Sequence, residues 1–261
     1  PLGNGSDGVY QRFEYAYNRQ GVRIETKTPN GTVHAYDHDN LGRMLHDRVT
    51  TVGTNVDNAV LRISHSYEIR GLVEKITSYD NATVGSGNVV NEVVLAYDSN
   101  GRLTTDYQEH SGAKGANTLS VGYNYDTTAS LGEYTKGLRS TSLVYPNGRL
   151  VHYGYGTSGG MDDVLSRIAA IHDDNSGSPG DAVAQYTYLG QGQIVKVDYP
   201  QADLRYDLDH GTAGEYAGLD RFGRVVDLLW RDYGRSTDAV RIQHGYDRAG
   251  NRLWRQDPVA T

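Results

Sequence analysis

The sequence has 261 residues, of which 32 are glycine and 21 tyrosine, while phenylalanine, tryptophan and methionine occur twice each and cysteine is absent. Lysine and arginine number 25 against 32 aspartate and glutamate residues, so the net charge is −7. This composition excludes disulfides, thiolate zinc sites and cysteine nucleophiles, and an acidic chain without a dense basic stripe is poorly suited to binding nucleic acid. No apolar run approaches the ~20 residues that a membrane span needs. Tyrosine therefore has to supply much of the buried surface.

A six-residue phrase, Tyr-Asp-x-x-Gly-Arg or a close variant, recurs along the chain. Its copies contain Tyr17 and Gly21; Tyr36, Asp37, Gly42 and Arg43; Tyr67 and Gly71; Tyr97, Asp98, Gly101 and Arg102; Asp220, Gly223 and Arg224; and Tyr246, Asp247, Gly250 and Arg252. Degenerate copies occupy 134–139, beginning at Tyr134, 163–168 and 188–192. Several neighbouring copies lie about 30 residues apart, a spacing typical of repeat architectures. We therefore predict one continuous repeat domain over 13–255, with flanks at 1–12, part of which resembles a protease-cleavage scar, and at 256–261.

Each repeat is predicted to form a strand, a turn and a second strand. Apolar and polar residues alternate before the phrase, as at Val93, Leu95 and Tyr97, which is the period of a half-buried strand. The Asp after Tyr can bind N–H groups of the turn, and the Gly supplies a positive φ. Pro-Asn-Gly at 29–31 and 146–148 gives two further hairpin signals. The predicted fold class is all-β: repeated antiparallel β-hairpins that form a long curved or spiralling sheet, with tyrosine columns on one face.

The Arg of the Gly-Arg pair has two predicted partners. It can lie over a tyrosine ring or reach the Asp of a neighbouring turn, and Arg102 and Arg224 are the residues on which this hypothesis is best tested. The choice of tyrosine over phenylalanine indicates that the aromatic face is not fully dry, because each hydroxyl needs a hydrogen-bond partner.

These repeats resemble the YD-repeat, or RHS-repeat, family, which includes bacterial RHS proteins, the C components of insecticidal ABC toxins and the shell domain of teneurins. The resemblance extends over about 15–255. It implies a non-catalytic segment of a large secreted or cell-surface β-shell that encloses or presents a cargo. The implied partners are the rest of the parent repeat protein and an enclosed effector domain. The family's self-cleaving module has an Asp-Pro-x-Gly-Leu run, but Asp257-Pro258 is followed here by Val259-Ala260, so no protease residues are carried over.

A serine hydrolase is the least favoured alternative. Gly-Thr-Ser-Gly-Gly at 156–160 satisfies the nucleophile-elbow pattern around Ser158, and a predicted strand at 151–155 precedes it. However, Ser166-Arg167-Ile168 fits the exit from a repeat turn, and no set of parallel strands alternating with helices is predicted elsewhere. The pattern therefore indicates a loop between repeats.

No cofactor and no metal site is predicted. His34, His65 and His244 each lie two residues before a repeat tyrosine or its equivalent and so share its face of the strand, but there is no His-x-His pair to support ligation. We expect these rings to pack and form hydrogen bonds in the same way as the tyrosines. The short acidic turns at 37–40, 162–163 and 173–175 lack the spaced oxygen ligands of a calcium loop.

Three polar insertions, at 49–59, 80–88 and 173–182, are predicted to be exposed loops. Exposed aromatic residues such as Trp230 and Trp254 would favour the alternative function, an extracellular module that binds carbohydrate or another surface protein. Open strand edges predict that the chain associates with itself edge to edge or closes into a smaller roll. Neither nucleic acid nor a membrane is a predicted partner.

Overall fold

The computed structural model describes residues 11–127 and 136–260. These residues form 18 β-strands, one helix of four residues and two 3₁₀ turns, which confirms the predicted all-β class of repeated antiparallel hairpins. Most of the predicted flank at 1–12 and Tyr134 of one degenerate copy lie outside the described residues. The extent of the repeat domain, 13–255, stays a prediction.

The chain divides into two compact units, and the first contains the described residues up to Gly122 together with Tyr145–Asn147. Its strands are β1 (Glu14–Tyr17), β2 (Arg23–Lys27), β3 (Val33–His38), β4 (Met44–Thr51), β5 (Arg62–Tyr67), β6 (Val73–Tyr79), β7 (Val89–Tyr97) and β8 (Leu103–Glu109). Strand β9 (Ser120–Tyr125) begins in this unit. Each strand pairs in antiparallel fashion with the next one along the chain.

The second unit contains Tyr123–Val144 and the described residues from Gly148 onward. After the end of β9 it has β10 (Ser140–Val144), β11 (Leu150–Gly154), α1 (Met161–Val164), β12 (Ala170–Asn175), β13 (Ser178–Leu189), β14 (Gln193–Tyr199), β15 (Leu204–Asp207), β16 (Asp227–Asp232), β17 (Thr237–Tyr246) and β18 (Arg252–Gln256). From β10 to β18, consecutive strands again pair in antiparallel fashion. The 3₁₀ turns are Lys136–Leu138 and Pro200–Ala202.

Both units bury polar side chains, but they differ in the hydrophobic residues that they bury. The buried hydrophobic residues all belong to the second unit: Val151, Ala184, Val195, Val197, Leu208 and Leu229. Among the described residues of the first unit, the buried side chains are polar or charged: Thr26, Thr32, Arg62, Thr77, Ser78 and Glu92. Because its tyrosines and aliphatic residues are only half-buried, the first unit depends strongly on hydrogen bonds and ion pairs between strands.

The prediction of a loop at 173–182 is wrong. Strands β12 and β13 continue through this segment and pair Asn175 with Ser178. The two residues between them, Ser176 and Gly177, have φ values of 55° and 88°, as a two-residue type I′ turn requires. The segment at 80–88 does form a loop, between β6 and β7. Residues 49–51 of the insertion at 49–59 extend β4 instead.

Candidate functional site: the hairpin corners

Seven corners in the described residues share one backbone geometry. If i is the last residue before the corner, the N–H of i+1 donates to the carbonyl of i+5, and the N–H of i+4 donates to the carbonyl of i+1. These distances are 3.0 and 3.1 Å at Asp98 and Gly101. The corners start at Tyr17, Lys27, His38, Tyr67, Tyr97, Leu219 and Tyr246. Gly101 has a φ of 81°, which only glycine adopts without strain.

The carboxylate at i+1 binds the backbone of its own corner. Asp98 Oδ1 accepts the N–H groups of Asn100 and Arg102, both at 2.9 Å, and Asp98 Oδ2 accepts Nε of Arg102 at 2.6 Å. Asp39 with Arg43, and Asp220 with Arg224, repeat this arrangement. The acid therefore fixes both the turn and the guanidinium that follows it.

The hydrogen bonds of the corners lower the pKa values of their carboxyl groups. Burial disfavours the charged form of Asp98, but the N–H groups and guanidinium of Arg102 outweigh it and lower the pKa of the carboxyl. The pKa values of Asp39 and Asp220 are lowered for the same reasons. At Asp247, hydrogen bonds from the side chain and backbone of Asn251 lower the pKa.

Three of the predicted motif residues lie outside these corner positions, and the first of them, Tyr36, precedes the corner that starts at His38. Asp37 pairs with Arg48, at 2.6 and 3.0 Å, while Asp39 occupies the corner. Arg252 is the first residue of β18, and Asn251 takes the corner position, with Nδ2 2.9 Å from Asp247 Oδ2. The reason is that acid and donor must be four residues apart, a spacing that Asp37 does not have with Arg43.

Corner arginines also bind the adjacent hairpin. The guanidinium of Arg43 lies over the ring of Tyr67, 4.3 Å from its centroid, and the Tyr67 hydroxyl donates to the carbonyl of Met44 at 2.8 Å. We call this combination the Arg–Tyr step: an arginine, the tyrosine ring beneath it, and the carbonyl after the arginine that accepts the hydroxyl. It recurs at Arg139, Tyr155 and Ser140; at Arg167, Tyr188 and Ile168; and at Arg224, Tyr246 and Val225. The predicted stacking is confirmed at these residues, whereas the Asp that binds Arg43 or Arg224 belongs to the same corner and not to a neighbouring one.

A further hydrogen bond joins one corner to the next. Arg224 Nη1 donates to the carbonyl of Asp247 at 3.1 Å, and Arg167 Nη1 donates to that of Gly190 at 2.6 Å. In the first unit, Arg70 supplies this bond to the carbonyl of Asp98 at 2.7 Å. An arginine guanidinium of one turn therefore also forms a hydrogen bond with a backbone carbonyl of the next turn.

One step lacks the arginine. The Tyr97 hydroxyl donates to the carbonyl of Val73 at 2.8 Å, but the residue before Val73 is Leu72. The Cδ1 atom of Leu72 lies 3.4 Å from where a Cβ on Gly101 would be. Arg43 has the same relation to Gly71, where a Cβ would lie 3.2 Å from Arg43 Nη1, so Leu72 occupies the place of the arginine while the tyrosine hydrogen bond is kept.

The sequence analysis did not identify one corner, whose acid, Asp126, and arginine, Arg139, are separated by an insertion. The N–H of Asp126 donates to the carbonyl of Arg139 at 3.2 Å, the bond that closes a compact corner. The guanidinium of Arg139 lies 3.3 Å from Asp126 Oδ2 and 2.8 Å from Asp163 Oδ1. The Tyr-Asp pair at 125–126 is the signal that could have revealed this corner, but its arginine lies 13 residues beyond the acid instead of four.

Ser158 lies in a tight turn between β11 and α1. The N–H of Gly160 donates to the carbonyl of Thr157 at 2.8 Å, and the positive φ, 74°, belongs to Gly159. Ser158 lines a cavity of about 460 Å³, whose described lining residues include no histidine. The carboxylates there, Asp126 and Asp163, are paired with Arg139 and, for Asp163, also with Lys136. The acidic residues that line this cavity with Ser158 are therefore engaged in ion pairs, and Asp163 Oδ2 also accepts the N–H of Gly159 at 2.8 Å.

Other predicted candidates bind within the protein. His34 stacks on Tyr36, with 6.2 Å between ring centroids, and its Nδ1 lies 2.7 Å from Asp47. The ring of His244 lies 6.1 Å from that of Tyr246. The prediction that these histidines form hydrogen bonds is wrong for Nδ1 of His65 and of His244, which are buried without a hydrogen-bond partner. The acidic turns bind side chains of the protein: Asp162 pairs with Arg167, Asp173 pairs with Arg149, and Asp174 lies 2.8 Å from Nε2 of the His152 ring. Nowhere in residues 11–127 and 136–260 do three or more histidine or acidic side chains gather to hold a metal ion.

Comparison with known proteins shows a likeness of fold. Over 97% of its length, the chain matches a chain of the Photorhabdus luminescens Tc holotoxin pore that carries a mutated TccC3, with a TM-score of 0.56 and 11% identity. It matches the TcdB2–TccC3 structure with the same values, and the TcdB2–TccC3–Cdc42 structure with a TM-score of 0.55 and 13% identity. In all three the chain spans only 12–13% of the length of the matched chain. No protein-family model and no curated protein matches the sequence.

These likenesses show that the chain shares the fold of part of these toxin-complex chains. Within the described part of the chain, there is no apolar helix of membrane-spanning length.

Proposed function

We propose that this chain is a non-catalytic wall segment of a secreted or cell-surface YD/RHS-repeat protein, whose shell encloses or presents a cargo or effector domain. The observation that carries the proposal is the Arg–Tyr step, which joins neighbouring hairpins at four places in the described residues, one in the first unit and three in the second. The fold likeness to chains of Tc toxin complexes supports it. The proposed partners are the rest of the parent repeat protein and an enclosed effector domain.

The geometry explains how such a wall would be built. A lone hairpin is marginally stable in water, and here it buries its tyrosine only when the neighbouring hairpin supplies the arginine and the carbonyl, as Arg43 and Met44 do for Tyr67. Repeat proteins of this kind gain stability mainly from nearest-neighbour contacts. Hairpins can therefore be added one after another without a central core, which is what a thin wall requires.

The acids of the corners also neutralise the arginines of the proposed wall. Corner arginines are bound by acids of the same corner, as Arg43 is by Asp39 and Arg224 by Asp220. Charges that are paired in this way are not available for catalysis or for gripping a charged polymer. The corners are thus suited to a structural role, and the alternative function as a glycan- or protein-binding module stays a prediction.

The test is to isolate the natural protein that carries this sequence. Antibodies against the 261-residue chain would capture it, and mass spectrometry would define its full length. Electron microscopy is expected to show a hollow β-shell, and proteolysis is expected to spare an internal domain until the shell is unfolded. A natural protein in which this segment lies as an isolated domain, with no enclosed volume and no protected fragment, would overturn the proposal.

A further inference from the structure

A cavity of about 370 Å³ lies in the first unit, between strands β4 to β6 and the loop at 80–88. Its volume falls within the range of small-ligand sites. The strands contribute Arg62, Lys75, two histidines and four hydroxyl side chains, and none of the described lining residues is acidic. In a chain with a net charge of −7, a cavity lined in this way is unusual and calls for a chemical explanation.

Arg62 is the most buried charge of the first unit, with 3% of its surface exposed. It holds the loop in place: Nη1 donates to the carbonyls of Asn81 and Thr83, and Nη2 to that of Ser86. Its Nε donates to Ser64 Oγ at 3.2 Å. Four of the five guanidinium N–H groups are therefore bound to neutral oxygens, and no described carboxylate forms an ion pair with Arg62.

A buried cation is normally balanced by an anion in contact with it. The acids near this cavity are engaged elsewhere: Asp37 binds Arg48, and Asp80 binds Asn88. Glu92 accepts hydrogen bonds from Thr77 and from the N–H of Lys114, and its Oε1 lies 3.5 Å from Lys75 Nζ. No described carboxylate forms an ion pair with the Arg62 guanidinium, which lies over the ring of Tyr79, 3.9 Å from its centroid. Asp80 is near enough for the charge of Arg62 to lower the pKa of its carboxyl, but its oxygens bind Asn88.

We propose that this cavity binds a small tetrahedral oxyanion, phosphate or sulfate, either free or esterified to a sugar. Arg62 would supply the fixed positive charge and its remaining Nη2 N–H. Lys75, whose side chain is 43% exposed, would supply a mobile ammonium, and Ser66 a hydroxyl. Charge-assisted hydrogen bonds of this kind are the strongest that a protein offers to such an anion.

His46 provides a reporter inside the cavity. Its Nδ1 lies 2.9 Å from Ser64 Oγ. Burial lowers the pKa of His46, and the charges of Arg62 and Arg48 lower it further against the opposing effect of Asp37. An anion bound beside Arg62 would favour the protonated ring and raise this pKa.

The experiment titrates the full chain with sodium sulfate, sodium phosphate, N-acetylglucosamine 6-sulfate and, as a neutral control, N-acetylglucosamine. Calorimetry measures affinity, and NMR follows the titration of the His46 ring. Sulfate or phosphate is expected to bind and to raise the His46 pKa. Lys75→Gln and Ser66→Ala should each weaken binding about tenfold, because each removes one hydrogen bond to a charged group.

Lys196→Gln is the matched control, because Lys196 also lies on a strand near an acid, 3.8 Å from Asp207, but outside this cavity. Its affinity for sulfate should equal that of the wild type. Tighter binding of the sugar sulfate than of inorganic sulfate would identify an esterified ligand, and the reverse order a free one. The proposal fails if no anion binds, or if Lys75→Gln and Ser66→Ala retain their fold by circular dichroism and bind as the wild type does. It is independent of the proposed wall function.

Discussion

The Arg–Tyr step can be tested at Arg43 and Tyr67 with a double-mutant cycle. The guanidinium lies 4.3 Å from the ring centroid, and the arginine side chain is 33% exposed. A partly exposed cation over an aromatic ring contributes about 0.5–1 kcal/mol, and more when it is desolvated. We therefore expect Arg43→Ala and Tyr67→Leu to show a coupling free energy of about 1 kcal/mol. The cycle cancels the loss of the Asp39 contact, because that contact is absent in both variants that lack Arg43.

Tyr67→Phe is the matched control, because it keeps the ring and removes only the hydroxyl that donates to Met44 at 2.8 Å. It should cost about 1 kcal/mol, the net value of one neutral hydrogen bond, with or without Arg43. Tyr97→Phe should cost the same, since Tyr97 makes an equivalent 2.8 Å bond to Val73 beside a leucine.

The assay is urea unfolding followed by far-UV circular dichroism, in which the free energy of unfolding falls linearly with denaturant. A loss of 1 kcal/mol corresponds to a drop in Tm of roughly 2–4 °C for a chain of this size. A coupling energy within about 0.3 kcal/mol of zero, the usual error of additivity, would refute the claim that the arginine holds the tyrosine of the next hairpin.

Three further outcomes are expected. Gly245→Ala should destabilise the protein by about 1–3 kcal/mol through overpacking, because the new Cβ would lie 2.0 Å from Trp254 Nε1. The fluorescence of Trp254 should shift to the red. Gly192→Ala is the control and should leave the stability unchanged, because a Cβ there meets nothing within 4 Å. The free energy of unfolding should decrease as the pH falls below about 5, because the corner acids, whose pKa values in the folded protein lie below the ordinary 3.8, become protonated. In Asp98→Asn, the urea midpoint should depend less strongly on pH between pH 5 and 3 than in the wild type. A fluorophosphonate probe should leave the intact mass of the chain unchanged, and a mass shift that Ser158→Ala abolishes would contradict the non-catalytic assignment.

Local chemistry explains why the corners could be predicted. The contacts that close a corner join residues no more than four apart, such as Asp98 with Arg102, and they need only an acid, a glycine and a cation in the right order. The alternation before Tyr97 likewise depends on neighbouring residues alone. The all-β class and the turn at Gly101 therefore follow from the sequence.

Prediction failed where two local solutions competed or where an insertion intervened. Asp37 and Asp39 both precede Gly42, and only the folded corner selects the acid four residues before Arg43. The divided corner joins Asp126 to Arg139, a spacing that no short motif describes. Ser176 and Gly177 resemble part of a flexible loop in composition, yet the flanking strands hold them in a two-residue turn.

The sequence by itself determined where the chain turns and which residues alternate along its strands, because those properties depend on backbone sterics and on hydrogen bonds within one turn. Only the tertiary structure decided which arginine lies over which tyrosine, since Arg43 and Tyr67, or Arg224 and Tyr246, belong to different hairpins and meet only when these pair. The same holds for Arg62, whose guanidinium binds the carbonyls of Asn81 and Ser86 only when the loop at 80–88 folds against β5.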